Sequence, residues 1–224
     1  MAFVHALRGS ELAPDILSDP VRRIATLYSF PAFVVKEWVR RYGEDDAELL
    51  CRSLNQPAPI TIRVNSLKTS VEECRRALEG EGIGARRTKI SPSGLVLEKR
   101  VNVNGLECFR RGLFEMQDEG SQILSLLVDP QPGELVVDAC AGAGGKTLHL
   151  AALMNGTGEL LAVDVEEYRL RNLRERVRRA GISHVRALLA GRDDPAIAGW
   201  SAKADRVLID APCTGVGTFR RNPA

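Results

Sequence analysis

An acidic and glycine-rich segment follows a short apolar run in the second half of the chain, and its residue types could bind a ligand. The segment is Asp138-Ala-Cys-Ala-Gly142-Ala-Gly144-Gly145-Lys146-Thr147. Glycines let the backbone approach a ligand closely, and free N–H groups at a helix start favour an anionic group. The segment therefore predicts a ligand-binding loop between a strand and a helix.

Three classes of ligand use loops of this kind, and the spacing of residues separates them. A triphosphate-binding loop needs G-x-x-x-x-G-K-[ST], and Cys140 stands where its first glycine should be. A dinucleotide loop needs G-x-G-x-x-G; Gly142 and Gly144 fit, but Thr147 replaces the third glycine, which weakens this interpretation without excluding it. The pattern D-x-x-x-G-x-G, beginning at Asp138, fits a loop that holds a zwitterionic methionine group.

Two further acids follow later apolar runs. Asp164 comes about 20 residues beyond the loop, where a carboxylate can accept hydrogen bonds from ribose hydroxyls. An acid at that position can also simply cap the next helix. Asp193 could reach an adenine amino group, but Gly191-Arg-Asp-Asp194-Pro is equally typical of a turn.

The segment Asp210-Ala-Pro-Cys213 combines an acid and a thiol at the end of a predicted strand. Cytosine C5 is a poor nucleophile until a thiolate adds at C6, and such chemistry needs a cysteine beside the methyl donor and an acid to hold the base edge. A buried cysteine can also act as a small hydrophobe. The proline before Cys213, the strand end and the upstream loop favour methyl transfer to cytosine.

Alternating strands and helices must position these residues. We predict strands at 135–137, 160–163, 185–189 and 207–209, with helices at 145–154 and 167–180. Such alternation implies a parallel sheet with right-handed crossovers, which binds ligands at the carboxyl ends of its strands.

The upstream half has a different pattern. After a poorly organised arm at 1–18, apolar stripes predict helices from Pro31 to Gly43 and over 47–54. A strand at 60–64, a helix opened by the capping box of Ser70 and Glu73, and two short strands follow. We therefore predict an N-terminal arm and helices at 1–57, a small βαββ domain at 58–112 and the first part of the parallel-sheet domain at 113–224.

At this point the chain resembles the Sun/Fmu (RsmB-type) family of RNA cytosine-5 methyltransferases. The similar elements, spread over residues 20–224, are Arg63-Val-Asn65, Gln117-Asp-Glu-Gly-Ser-Gln122, Asp138–Thr147, Asp164 and Asp210–Cys213. The resemblance implies a Rossmann-like class I methyltransferase sheet in an α/β fold, preceded by a small α+β RNA-recognition-like domain and N-terminal helices.

The resemblance also implies roles for residues, with S-adenosylmethionine as cofactor and no metal. Asp164 would hold the ribose, Asp193 would lie near the adenine, and Asp210 would face the methyl group and the cytosine edge. Cys213 would assist product release, while a second cysteine in a later Thr-Cys motif would form the bond to C6. The cofactor pocket would be lined by Cys140, Ala141, Gly142, Ala143, Gly144, Gly145 and Lys146.

Two departures from the family pattern stand out. Ala143 replaces a usual proline, which should alter loop stiffness and not the chemistry. No Thr-Cys motif occurs before Ala224, and the last strands of the usual sheet are missing. We therefore expect an incomplete sheet at the C-terminal end and an incomplete or split sequence, which binds cofactor weakly and does not turn over.

The expected partner is RNA, either rRNA or tRNA. The chain has 31 basic and 29 acidic residues, and its net charge of +2 argues neither for nor against binding to nucleic acid. The distribution of the charges is more informative. The arginines of the 167–180 helix could contact phosphates, but we favour a solvated face balanced by glutamates. The small domain is the better candidate through Arg63, Lys68, Arg75, Arg76, Arg86, Arg87 and Lys89.

Composition and cysteine usage favour a cytoplasmic protein. The five cysteines form no CxxC pair, which disfavours a disulfide framework or a zinc site. No signal peptide and no apolar run of membrane-spanning length are recognisable, and we expect a monomer away from membranes.

Two other functions stay open. A DNA cytosine-5 methyltransferase would use Cys213 itself as the nucleophile, although the upstream βαββ unit argues against this class. A non-catalytic RNA-binding or assembly protein would keep the fold without turnover.

Overall fold

The computed structural model describes Ile16, residues 18–191 and residues 194–221. These residues form two compact units: one joins the described residues up to Ala58 with those from Cys213 onward, and the other is Pro59–Pro212. The arm predicted at 1–18 falls almost wholly outside the described residues, and Asp193 is also outside them.

Three helices lie between residues 20 and 54 of the first unit, and the sequence predicted only the second and third of them. The first was missed because it buries only Ile24 and Ala25, too short an apolar stripe to recognise. It begins where the Asp19 carboxylate accepts the backbone N–H groups of two following residues. The second helix ends at Tyr42 with Gly43 as its C-cap, in agreement with the predicted stop at Gly43. The bounds are α1 (Pro20–Tyr28), α2 (Ala32–Tyr42) and α3 (Glu44–Leu54).

Three aromatic rings lie in the core of this unit. Phe30 contacts Trp38 and Phe219 edge to face, with both pairs of ring centroids 5.5 Å apart. Phe219 follows a short 3₁₀ turn at Val216–Thr218, so the end of the described chain packs on the helices.

The second unit begins with a four-stranded antiparallel sheet in the order β2-β3-β1-β4. The predicted strand at 60–64 is confirmed, and Ser70 and Glu73 form the predicted capping box. The fourth strand pairs with β1 and lies beyond residue 112, where the sequence placed the domain boundary. The bounds are β1 (Ile60–Val64), α4 (Val71–Gly80), β2 (Ala85–Arg87), β3 (Gly94–Leu97), α5 (Glu107–Arg110) and β4 (Phe114–Met116).

A four-stranded sheet in the order β7-β6-β5-β8 follows within the same unit, and every pairing in it is parallel. The predicted parallel α/β fold is therefore confirmed, and the predicted elements match the observed ones to within one residue at each end. The bounds are α6 (Glu119–Val128), β5 (Leu135–Asp138), α7 (Gly145–Leu153), β6 (Glu159–Asp164), α8 (Glu167–Ala180), β7 (Val185–Leu189), α9 (Pro195–Ala198) and β8 (Arg206–Leu208).

The core beneath the parallel sheet packs α7 against the strands. Val136, Leu160 and Leu208 of three adjacent strands share a buried cluster with Leu148 and Leu150 of α7. Because burial of such side chains is the main stabilising contribution to a fold, α7 is held against the three strands. In the ranges given above, no helix has the length and apolar character needed to cross a membrane.

Candidate functional site

The register of the parallel sheet brings its acidic strand ends to one edge. Asp138 of β5 is paired with Ala162 of β6 and with Leu208 of β8. Asp164 and Asp210 therefore both lie two residues past the level of Asp138, at the carboxyl ends of neighbouring parallel strands. This is the edge at which open α/β sheets bind ligands.

Asp138 is the most buried of these acids, with 1% of its surface exposed. Its Oδ2 accepts a hydrogen bond from Thr147 Oγ1 at 2.7 Å, while its buried Oδ1 has no hydrogen-bond partner among the described residues. Burial raises the pKa of Asp138 to about 6, against the opposing effect of the Thr147 hydroxyl. The site thus contains a buried carboxylate with unused hydrogen-bonding capacity.

The glycine loop lies between β5 and α7 and adopts backbone conformations that favour glycine. Gly142 has a φ of +55° and Gly144 a φ of +86°. A side chain on Gly144 would come within 2.9 Å of Leu173, so this glycine lets the loop pack on α8. Gly142 and Gly145 have open space where a side chain would point, so their backbone can be approached closely.

Asp164 ties the loop to strand β6. Its Oδ2 accepts the backbone N–H of Gly142 at 2.8 Å, and its Oδ1 accepts the backbone N–H of Glu166 at 2.9 Å. The second bond orders the backbone just before α8, but the N-cap of this helix is Glu166 and no side chain caps it, so the helix-capping alternative for Asp164 is not observed. A carboxylate can accept about four hydrogen bonds, so acceptor capacity is left for a ligand.

Lys146 and Asp210, which the resemblance implied for the same pocket, form an ion pair between Lys146 Nζ and Asp210 Oδ2. The lysine side chain is mostly buried at the start of α7, and the Asp210 side chain is 47% exposed. The pair connects the start of α7 to the segment after β8. The carboxylate of Asp210 is therefore fixed by an ion pair and still exposed to solvent.

The remaining predicted residues differ in what the structure shows of them. Cys140 is half-buried, and burial together with nearby acids raises the pKa of its thiol. The backbone N–H of Ala141 donates to Val163 O at 2.8 Å, which joins the loop to β6. Cys213 is exposed and belongs to the first compact unit. Over the described part of the chain, no group of three potential ligands could hold a metal ion.

Sequence reasoning missed an ion cluster beside the loop, in which a buried glutamate pairs with two half-buried arginines. The predicted solvated face of α8 is wrong for Arg176 and Arg179, whose guanidinium groups form ion pairs with Glu115 of β4. The prediction that Arg63 contacts RNA is also wrong, because only 1% of its surface is exposed. The signal available in the sequence was Glu115, an acid at a central position of a short strand.

Two family models match this chain. One, described as 16S rRNA methyltransferase RsmB/F, matches residues 125–224. The other, the ferredoxin-like domain of RsmF/B-like methyltransferases, matches residues 30–104. The chain belongs to the RsmB/F methyltransferase family. The Sun/Fmu (RsmB-type) resemblance is thereby confirmed, together with the Rossmann-like fold.

Individual relatives agree with this assignment. The probable ribosomal RNA small subunit methyltransferase B of Bacillus subtilis is 34% identical, over 93% of this chain and 46% of that protein. The 28S rRNA (cytosine-C(5))-methyltransferase of Mus musculus is 30% identical, over 94% of this chain and 26% of that protein. A crystal structure of a methyltransferase homolog protein from Pyrococcus horikoshii matches with a TM-score of 0.79 at 30% identity, covering 94% of this chain and 67% of that one. The chain thus spans about half, or less, of the length of these curated relatives.

Proposed function

We propose that this chain carries the S-adenosylmethionine-binding part of an enzyme that methylates C5 of cytosine in RNA. The observation that carries the proposal is the glycine loop, which is hydrogen-bonded to Asp164 and lies between the buried carboxylates of Asp138 and Asp164. Membership of the RsmB/F family and similarity to relatives named as rRNA methyltransferases support the same reaction.

The residues at this edge fit S-adenosylmethionine. The unused Oδ1 of Asp138 suits the ammonium of the methionine group, and the N–H groups at the start of α7 suit its carboxylate. The spare acceptor capacity of Asp164 suits the ribose hydroxyls, and the open space at Gly142 admits the ligand. When bound, this cofactor supplies an electrophilic methyl group. We also propose, from sequence alone, that Asp193 lies near the adenine.

The chain supplies two further groups to the substrate side. We assign Asp210 to the edge of the cytosine base, because its carboxylate is exposed and Lys146 holds it in place. We assign Cys213 to release of the methylated product, following the Pro-Cys motif of the family. The covalent bond to C6 requires a thiolate, which the family takes from a Thr-Cys motif that is not among these 224 residues.

The RNA surface that we propose lies on the small antiparallel sheet. Arg86 and Lys89 are exposed there and form no ion pair with another described residue. By contrast, Lys68 donates hydrogen bonds to two backbone carbonyls, and Arg75 and Arg87 are paired with Glu72. Unpaired surface cations displace counterions from a phosphate backbone at the lowest cost, so Arg86 and Lys89 are the residues to test.

The experiment that tests this function follows methyl transfer from labelled S-adenosylmethionine. The natural protein that contains this chain is incubated separately with rRNA, tRNA and DNA, and any methylated base is mapped. We expect label on cytosine C5 in RNA, and loss of label in the Asp164→Ala variant. Label in DNA alone would support a DNA methyltransferase instead, and no label with any substrate would support an assembly role; either result contradicts the proposal.

A further inference from the structure

A cluster of charges, made of one buried glutamate and two half-buried arginines, joins the small sheet to α8. Glu115 of β4 is 3% exposed, and its two carboxylate oxygens are 3.0 Å from Arg176 Nη2 and 2.5 Å from Arg179 Nη2. The Arg179 guanidinium also lies over the ring of Phe109, 3.9 Å from its centroid. Because a buried carboxylate needs charged or hydrogen-bonding partners, Glu115 fixes both guanidinium groups.

One of these guanidinium groups also reaches the glycine loop. Arg176 Nη1 donates a hydrogen bond to the backbone carbonyl of Ala143 at 2.7 Å, while its Nε donates to Glu115 at 3.1 Å. Ala143 lies between Gly142 and Gly144, both of which have positive φ. The planar guanidinium can bond both partners at once in a fixed geometry, which a lysine ammonium on a flexible stem cannot match.

The helix that carries Arg176 is itself attached to the small domain at its C-terminal end. Asn65 Nδ2 donates to Ala180 O at 3.0 Å, and Lys68 Nζ donates to Arg179 O at 2.6 Å. Gly112 approaches this helix end so closely that a side chain there would lie 2.2 Å from Arg179 O. The small domain therefore sets the position of α8 through several contacts. Because Arg176 belongs to α8 and is hydrogen-bonded to Ala143, the position of the helix also sets the position of the loop.

We propose that Arg176, oriented by Glu115, is a positioning residue for the glycine loop, so that the small sheet determines the geometry of the proposed cofactor pocket. This inference rests on the proposed function for the identity of the ligand. Arg176 itself is assigned no contact with the ligand, since its bond is to the carbonyl of Ala143.

The test compares Arg176→Met with Arg179→Met in the full 224-residue chain. Both substitutions remove one arginine from Glu115, but only the first removes the bond to the loop. Amide hydrogen exchange of residues 139–147 is measured without ligand, and the dissociation constant for S-adenosylhomocysteine is measured by calorimetry. Global stability is followed by chemical denaturation, so that unfolding is separated from loop movement.

We expect Arg176→Met to speed exchange of the loop amides and to lower the affinity for S-adenosylhomocysteine by about tenfold, as for loss of a charge-assisted hydrogen bond. In Arg179→Met, exchange of the loop amides should be unchanged. Arg176→Lys should rescue folding but not loop exchange. Should Arg176→Met not fold, Arg176→Lys is compared with Arg179→Met by the same two measurements. Equal loop exchange and equal affinity in the two arginine variants would overturn the inference. Failure of the wild-type chain to bind S-adenosylhomocysteine would contradict the proposed function, while loop exchange would still test the positioning role.

Discussion

The backbone N–H of Gly142 donates a hydrogen bond to Asp164 Oδ2 over 2.8 Å, so a carboxylate at the end of one strand holds the loop that follows its neighbour. The other oxygen of Asp164 accepts the N–H of Glu166, just before α8. A single buried side chain thus joins the glycine loop, strand β6 and the start of a helix. Its replacement should affect both stability and the shape of the pocket.

Asp164→Ala should lower the free energy of unfolding by about 1–3 kcal/mol, because two backbone donors lose a charged acceptor. Asp164→Asn should lower the free energy of unfolding by less, since the amide oxygen can still accept one of these hydrogen bonds. Chemical denaturation measures both changes, and Glu167→Ala, at an exposed acid on the next helix, is the control. A loss in Asp164→Ala no larger than in the control would contradict the assigned contacts.

Asp138 should make stability fall as the pH rises from about 4 to about 6. Its pKa is raised from an ordinary 3.8 to about 6 in the folded protein, chiefly by burial, so the folded state binds the proton more tightly. The stabilising contribution is complete below pH 3.8 and is lost as pH rises through 6, a difference of about 3 kcal/mol.

The measurement for Asp138 is the unfolding free energy of the wild-type chain minus that of Asp138→Asn across this pH range. Taking the difference removes the contribution of every other titrating group. A difference that stays constant between pH 4 and pH 7 would show that the carboxyl is not perturbed in the folded chain.

His149 should have the opposite effect on the pH dependence of stability, so that stability falls as the pH is lowered. Burial, aided by the charge of Arg63, lowers the pKa of its imidazole from 6.5 to about 2, so the folded state keeps it neutral. The unfolded chain takes up the proton first as pH falls, and stability is lost below pH 6.5, by about 3 kcal/mol at about pH 4.5. The same subtraction with His149→Leu should show this loss; parallel curves for the two proteins would refute it.

The five thiols should differ sharply in reactivity. Cys213 is exposed, whereas burial raises the pKa of Cys51 and Cys74 to about 11 and that of Cys108 to about 12. Because the thiolate is the reactive form, a thiol reagent at neutral pH should modify Cys213 first. Cys213→Ser should abolish the fast phase, with Cys51→Ser as control, and a fast phase that persists would mean that Cys213 is not accessible.

The strands and helices of the parallel sheet could be predicted because their patterns are local. Strand 185–189 and helix 167–180 follow from apolar periodicity, and Ser70 with Glu73 opens a helix through bonds within four residues. Asp138 and Asp164 were assigned from strand ends and loop spacing. These assignments needed no knowledge of which strands are neighbours.

The interactions that could not be predicted join distant segments. Glu115 and Arg176 are 61 positions apart, and Lys146 and Asp210 are 64 positions apart. A charge on a helix is typical of a solvated face unless something covers it, and only the packing of β4 on α8 shows that Arg176 is covered. Burial of Arg63 likewise depends on tertiary packing and not on its strand.

Calorimetric titration of the wild-type chain and of Asp164→Ala with S-adenosylhomocysteine tests the central claim most directly. We predict saturable binding to the wild-type chain, weakened by about 1–3 kcal/mol in the variant because the ribose hydroxyls and the loop lose their acceptor. No binding to the wild-type chain, or equal affinity of both proteins, would contradict a cofactor site at the ends of β5 and β6.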